Sequence, residues 1–421
     1  MRKIAIISEH ASPLSMVGGT DSGGQNVYVA HVAKQLARQG YWIDIFTRDD
    51  SGARPLIVEW NPNIRVIHVP AGPTHFIEKE KMLPYMEQFG KFITQFSRRE
   101  RVPYHIVHAN FFMSGIAAMR MKRELGIPFV ITFHALGRVR RLCQGAADSF
   151  PDSRFTIEER LMSAADRIIA ECEQDKEDMV QLYGADKRKI DLVPCGFDPE
   201  EFWPVPVNAR KQLGFKEEEF IVLQLGRMVP RKGVDNVIRG IAILKKKWGI
   251  TARLVIVGGN SSEPDPRVTP EIGSLRKLAE EEEVASQVTF TGQRTRAVLR
   301  YFYSASNVFV TTPWYEPFGI TPIEAMACGT PVIGSLVGGI KHTVVDGETG
   351  YLIPPNDPDA IAERLAHLYR NKDVAQRLGQ AGLKRANHLF TWRNVTKKIA
   401  DVYENVVEQS SLQMSARMAS I

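Results

Sequence analysis

At 421 residues the chain is too long for one ordinary hydrophobic core, so two domains of roughly 200 residues each are expected. Its 44% hydrophobic and 24% charged residues are those of a soluble globular protein. The net charge of +6 is mild, no basic tail or aromatic-interleaved basic stripe suggests nucleic acid, and no run reaches the roughly 18 apolar residues that span a bilayer.

The N-terminus runs Met-Arg-Lys straight into Ile4–Ile7, too short for a signal peptide and expected to be a first buried strand. Cys143, Cys172, Cys195 and Cys328 lack CxxC spacing and histidine partners in metal-site register. Reduced thiols in a cytoplasmic protein are therefore expected. Strands are predicted at Lys3–Ser8, Trp42–Thr47, Arg65–Val69, Ile106–Ala109, Phe129–Phe133, Arg167–Ala170 and Ile190–Pro194. Several are apolar almost without alternation, as strands covered on both faces of a parallel sheet are. Between the first two lies a helix over Gln25–Arg38, with Val29, Val32, Ala33 and Leu36 on one face.

Phe202-Trp203-Pro204-Val205-Pro206-Val207 is proline-punctuated and non-periodic, like a domain linker. The alternation restarts with strands at Phe220–Leu225, Leu254–Val257, Val288–Thr291, Val308–Thr312, Pro331–Gly334 and Tyr351–Ile353. Two successive βα series predict an α/β protein of two Rossmann-like domains, residues 1–203 and 204–391, facing a cleft. A last helix, within about 392–410 and periodic over Val395–Val407, either completes the second domain or crosses back onto the first. The tail after Val407 is expected to be poorly ordered, and oligomeric state is not legible.

The chemistry gathers in glycine-rich turns. After the strand Phe220–Leu225 comes Gly226-Arg227-Met228-Val229-Pro230-Arg231-Lys232-Gly233. In an open α/β sheet ligands bind beyond the carboxyl ends of strands. There an Arg grips phosphate oxygens bidentately and a Lys adds a compact charge, so Arg227 and Lys232 suit a diphosphate; a solvated basic loop is the plain alternative. After the strand Val308–Thr312 comes Glu316-Pro317-Phe318-Gly319-Ile320-Thr321-Pro322-Ile323-Glu324, with a helix expected to begin near Thr321-Pro322. Were the whole segment helical, Glu316 and Glu324 would lie about 12 Å apart on nearly one face. Carboxylates accept paired hydrogen bonds from vicinal hydroxyls, so one suits a transferred sugar and the other a ribose. Two surface glutamates near a helix start are the alternative. Val337-Gly338-Gly339-Ile340 is a further turn that could aim N–H groups at the same diphosphate. In the first half, Gly18-Gly19-Thr20-Asp21-Ser22-Gly23-Gly24-Gln25 precedes its helix and allows close ligand approach, or is simply a flexible loop.

These motifs resemble the retaining glycosyltransferases of GT-B fold that include sucrose-phosphate synthases, sucrose synthases and the mycothiol-pathway glycosyltransferase, over nearly the whole chain. The resemblance implies that Gly23, Gly24 and Gln25 touch the acceptor, with Gly24 also near the donor. It implies that Arg227 and Lys232 hold the donor diphosphate, that Glu316 meets the transferred hexose beside Phe318, Gly319 and Ile320, and that Glu324 meets the ribose. Thr132-Phe133-His134-Ala135-Leu136-Gly137-Arg138-Val139-Arg140-Arg141 is similar to a His-Ser-Leu-Gly-Arg segment of bacterial-type sucrose-phosphate synthases, with Ala135 in place of Ser. Ile77-Glu78-Lys79-Glu80-Lys81-Met82-Leu83-Pro84-Tyr85 resembles their Ile-Pro-Lys-Glu segment, with Glu78 in place of Pro. By that likeness Lys79 and Arg140, with Arg138 and Arg154 beside them, hold an acceptor phosphate, and His134 lies near the transferred sugar.

The implied reaction is front-face, retaining transfer of glucose from a nucleoside diphosphate glucose, UDP-glucose being the first expectation, to fructose 6-phosphate. No metal or other cofactor is expected, because cationic side chains take the place of an Asp-x-Asp metal site. Free fructose or inositol phosphate as acceptor, a GT-B epimerase, and a non-catalytic sugar-nucleotide sensor are the alternatives.

Overall fold

The structure, a computed structural model, describes residues 2–14 and 23–419, with side chains as far as Leu412. It comprises two compact units: the residues up to Pro194 together with those from Trp392 onward, and Cys195–Thr391. The division thus falls at Pro194, upstream of the expected boundary after residue 203.

The first unit is built on eight strands: β1 (Lys3–Ile7), β2 (Trp42–Arg48), β3 (Ile57–Asn61), β4 (Ile64–Val69), β5 (Ile106–Asn110), β6 (Phe129–Thr132), β7 (Arg167–Ala170) and β8 (Ile190–Leu192). They lie in the order β3-β4-β2-β1-β5-β6-β7-β8. Every neighbouring pair is parallel except β3 and β4. β3 is the antiparallel edge strand that sequence periodicity did not show. The apolar runs behave as expected of strands covered on both faces: β1, β5 and β6 are buried along their full length. The helix Gly24–Arg38 buries Val29, Val32, Ala33 and Leu36, the face read from its periodicity.

The second unit holds β9 (Ile221–Leu225), β10 (Arg253–Val257), β11 (Val288–Gly292), β12 (Val308–Thr311), β13 (Val332–Ser335) and β14 (Gly350–Ile353). Their order is β11-β10-β9-β12-β13-β14, parallel throughout. Its core packs Val237, Ile241 and Leu244 of the helix Val234–Trp248 with Ile361 and Leu365 of the helix Pro358–Arg370.

In each sheet the strand order reverses once. In the first, the chain runs outward from β1 through β2 and then returns to place β5 at the other side of β1. In the second, β12 returns beside β9. Such reversals splay the loops that follow the two strands and leave a crevice at their carboxyl ends.

The last helix, Trp392–Ala419, belongs with the first unit and runs well past Val407, where a poorly ordered tail was expected. Its Trp392 is fully buried and stacks on His31 at 5.4 Å, and Tyr403 Oη lies 2.6 Å from His108 Nδ1. The hydrophobic contacts it needs are those of the first sheet, although 197 residues of the second unit precede it (Cys195–Thr391). No described helix is long and apolar enough to cross a membrane.

Candidate active site

In the second unit the site grows from the β9/β12 reversal. The loop after β9 turns through Gly233, whose φ is +65° and whose place a side chain cannot take, since a Cβ there would lie 2.1 Å from the Thr312 carbonyl oxygen. Thr312 Oγ1 donates to Gly233 O at 2.8 Å, and Trp314 N donates to Arg231 O at 3.1 Å. These bonds stitch the Gly226–Gly233 loop to the loop after β12. Lys232 is thereby brought onto Glu316 in a charge-assisted hydrogen bond, while Arg231 Nη1 lies 3.5 Å from the same Glu316 oxygen and donates to Tyr315 O at 2.9 Å. Arg231 is the residue that sequence reasoning passed over. Arg227 stands at the exposed rim, and its charge also acts on Glu316.

The side chains of Lys232 and Glu316 are only 15% and 14% exposed, so their charges interact strongly. Burial alone would raise the Glu316 carboxyl, but the charges of Lys232, Arg231 and Arg227 hold it at about 2. Burial draws the Lys232 ammonium below its usual range against the pull of Glu316. The result is a positive cluster with one internal counter-ion, a site able to receive phosphate oxygens.

Glu324 occupies a different environment. The helix begins at Ile320, beside the expected start near Thr321-Pro322, so Glu316 lies in the loop ahead of it and the two glutamates do not share a helical face. Glu324 is buried, pairs with Arg296 at 3.0 Å and accepts from Tyr303 Oη at 2.9 Å. Burial pushes its carboxyl above the usual range, against the pull of Arg296. Arg296 in turn reaches Glu201 at 2.8 Å. Phe318 is buried beside this helix.

The Val337–Ile340 turn also differs from expectation. Gly339 N donates to Pro317 O at 3.0 Å, so this N–H holds the Glu316 loop instead of pointing at a ligand. Its neighbour Gly338 is needed for that approach, since a Cβ there would stand 1.8 Å from Glu316 O.

In the first unit the corresponding place is the β1/β5 reversal. Gln25, in the first turn of its helix, donates to Ser8 Oγ at 3.1 Å and to Asn110 O at 3.2 Å, tying the loop after β1 to the end of β5. Gly23 N donates to Asn26 Oδ1 at 3.0 Å, and Gly24 begins the helix. Gly18, Gly19, Thr20, Asp21 and Ser22 lie outside the described residues.

His134 follows β6 with φ of +59°, and Phe111 follows β5 with φ of +82°. Bulky residues hold such backbone only where their surroundings enforce it, which is characteristic of functional sites. Asn110 Nδ2 donates to the carbonyls of Ile7 and His108 at 3.4 Å each, which turns its Oδ1 to His134 Nε2 at 3.0 Å. Glu171 Oε1 lies 3.0 Å from Nδ1 on the other side, and the ring packs edge-on to Tyr28 at 4.8 Å. Asn110 and Glu171 carried no motif; both stand at carboxyl ends of strands neighbouring β6. Behind them His108 is fully buried, and burial lowers it to about 3, so it stays neutral.

Of the four cations expected at an acceptor phosphate, the fold brings two together. Lys79, from the turn Lys79–Lys81, and Arg140, from the helix Gly137–Gln144, flank Glu80 at 3.9 and 3.4 Å. Arg138 is engaged elsewhere, with Glu159 and the Leu182 carbonyl. Arg154 is fully buried under the rings of Phe111, Phe112 and Phe150, with Nε on Glu158 at 2.7 Å and Nη2 on Ala135 O at 2.5 Å. Its Nη1 has no hydrogen-bond partner among the described residues.

Comparison with known proteins accounts for this arrangement. Residues 207–385 match the family model of glycosyl transferases group 1, and residues 22–201 match glycosyltransferase family 4. A D-inositol 3-phosphate glycosyltransferase of Xylanimonas cellulosilytica is 33% identical, over 97% of each chain. One from Corynebacterium glutamicum is 31% identical over 97% of this chain and 98% of its own. Among solved structures, sucrose-phosphate synthase from Thermosynechococcus elongatus superposes with a TM-score of 0.88 at 32% identity, over 97% of this chain and 100% of its own. Anabaena HepE, solved with UDP and glucose, has a TM-score of 0.75 at 18% identity over 96% and 100% of the two chains and shares the fold. By sequence over almost its full length, and by its two parallel-sheet α/β units, the chain belongs to the group 1 glycosyl transferases of GT-B fold.

Proposed function

We propose that this glycosyltransferase moves glucose, with retention, from a nucleoside diphosphate glucose to a phosphorylated acceptor, fructose 6-phosphate being the acceptor we favour. The observation that carries the reading is one cation cluster at the carboxyl end of each sheet. Lys232 and Arg231 converge on Glu316 in the second unit, and Lys79 and Arg140 converge on Glu80 in the first. A diphosphate leaving group calls for the former; a phosphate monoester on the acceptor calls for the latter.

In this reading no side chain attacks the sugar. Lys232, Arg231 and Arg227 stabilise the charge that grows on the departing diphosphate, whose oxygen takes the acceptor proton. Glu316 orients the hexose and, as their counter-ion, the cations. His134, fixed by Asn110 and Glu171, binds a sugar hydroxyl, and Gln25 shapes the acceptor side. Arg154 acts from beneath the site, holding Glu158 and the Ala135 carbonyl. Cationic side chains fill the role a metal ion has in other transferases.

Inositol phosphate is the second reading, favoured by the relatives at 31–33% identity that bear that name. Both readings share the phosphate. The experiment is a matrix of UDP-, ADP- and GDP-glucose against fructose 6-phosphate, fructose and D-inositol 3-phosphate, read by nucleoside diphosphate release. Turnover that requires fructose 6-phosphate and falls about 10- to 100-fold in kcat/KM in Lys79→Ala and Arg140→Ala supports the first reading. Turnover with inositol phosphate alone replaces it with the second, and turnover with free fructose unaffected by either variant refutes both.

A further inference from the structure

The two cations assigned to the acceptor phosphate already hold an anion. Glu80 follows Lys79 directly, and its Oε1 lies 3.9 Å from Lys79 Nζ and 3.4 Å from Arg140 Nη2. Arg140 is fixed from its far side: Nε stands 2.8 Å from Asp148 Oδ1, and the guanidinium covers the Phe150 ring at 5.0 Å. The two carboxylates differ in accessibility. Asp148 is sealed from solvent, whereas the Glu80 side chain is 19% exposed. Asp148 therefore orients the arginine permanently, and Glu80 is the partner that can swing out.

We propose that Glu80 is a built-in substitute for the acceptor phosphate, a specificity-determining residue that neutralises Lys79 and Arg140 until a phosphoryl group displaces it. The inference rests on the acceptor reading above. A tethered carboxylate is present at high effective concentration and carries a single charge. A neutral hydroxyl does not displace it, and a dilute monoanion does so poorly. A phosphate monoester brings nearly two negative charges and three acceptor oxygens, enough to take over both cations. Part of its binding energy is spent in moving Glu80, and the return is discrimination against acceptors lacking the phosphate.

The test is Glu80→Gln, which keeps the side chain's length and removes its charge. Calorimetric titration with inorganic phosphate, run with the Lys232 cluster filled by saturating nucleoside diphosphate, reads the site without turnover. The expected result is phosphate binding about 2- to 5-fold tighter than in the wild-type chain, the range of a partly exposed ion pair. The KM for the phosphorylated acceptor should fall by a similar factor, and inorganic phosphate should become the stronger competitive inhibitor. Glu80→Asp, which keeps the charge on a shorter arm, should lie between the two. Unchanged or weaker phosphate binding in the Gln variant overturns the inference, because a merely supporting role for Glu80 loses affinity. The two failures are separable. If Lys79→Ala and Arg140→Ala leave turnover with every acceptor intact, the proposed function is wrong. If those variants collapse turnover while Glu80→Gln binds phosphate no more tightly, only the role of Glu80 is wrong.

Discussion

Replacing Glu316 by Gln removes the counter-ion of the donor cluster while nearly preserving its shape. The Glu316 carboxyl is held at about 2 instead of 4.5, and its side chain is 14% exposed, so little solvent screening applies. A displacement of that size corresponds to about 3 kcal/mol of folding stability. The folded-state value lies below the unfolded one, so the contribution is complete above the unfolded value of 4.5 and drains away as pH falls toward about 2. At a pH of about 3.5, linkage removes roughly a third to a half of that contribution. Equilibrium urea unfolding of the wild-type chain and Glu316→Gln, followed by far-ultraviolet circular dichroism, measures it. We expect a gap of about 3 kcal/mol near neutral pH that narrows to about 2 kcal/mol at a pH of about 3.5. A gap that stays constant over that range would falsify the claim that the cations hold this carboxylate ionised.

Lys232→Ala and Arg231→Ala should each lower kcat/KM about 10²- to 10³-fold, as loss of a leaving-group donor does, and an unaffected Arg231→Ala would return that residue to a loop-stitching role. Gly233→Ala forces a Cβ to 2.1 Å from the Thr312 carbonyl and a side chain into left-handed backbone. It should cost about 1–3 kcal/mol in thermal or urea unfolding and abolish donor binding measured by calorimetry. Removing divalent metal with a chelator should leave nucleoside diphosphate release unchanged; restoration of a lost rate by added Mg²⁺ or Mn²⁺ would show that the cationic side chains are insufficient.

What the sequence made legible follows from what it encodes locally. Unbroken apolar runs such as Lys3–Ile7 and Phe129–Thr132 marked strands covered on both faces, and glycine turns marked the loops that follow strands at the carboxyl ends of the sheets. β3 escaped because Ile57–Asn61 is short, half exposed and set between Pro55 and Pro62. The helix start was legible in Gly319 and Thr321-Pro322, but a spacing carries no record of the separate partners that Glu316 and Glu324 find in Lys232 and Arg296. Arg231 and Glu80 were both inside motifs that had been read, yet each acquires its meaning from a residue on a distant segment. Arg138 illustrates the converse: its motif position suggested a phosphate contact, but its guanidinium covers the Tyr183 ring and pairs with Glu159.

The association of Trp392–Ala419 with the first sheet has a consequence for how the chain matures. Domains generally fold as units while they emerge from the ribosome, the earlier before the later. Here the unit Cys195–Thr391 is continuous and has all its core residues as soon as it is made. The first unit is discontinuous: with Trp392, Val395, Ile399 and Tyr403 unmade, His31 lacks the indole it stacks on, His108 lacks the Tyr403 hydroxyl and the sheet lacks part of its cover. Until that helix arrives, the earlier half exposes apolar surface to holding chaperones and proteases. The half that is begun first is completed last.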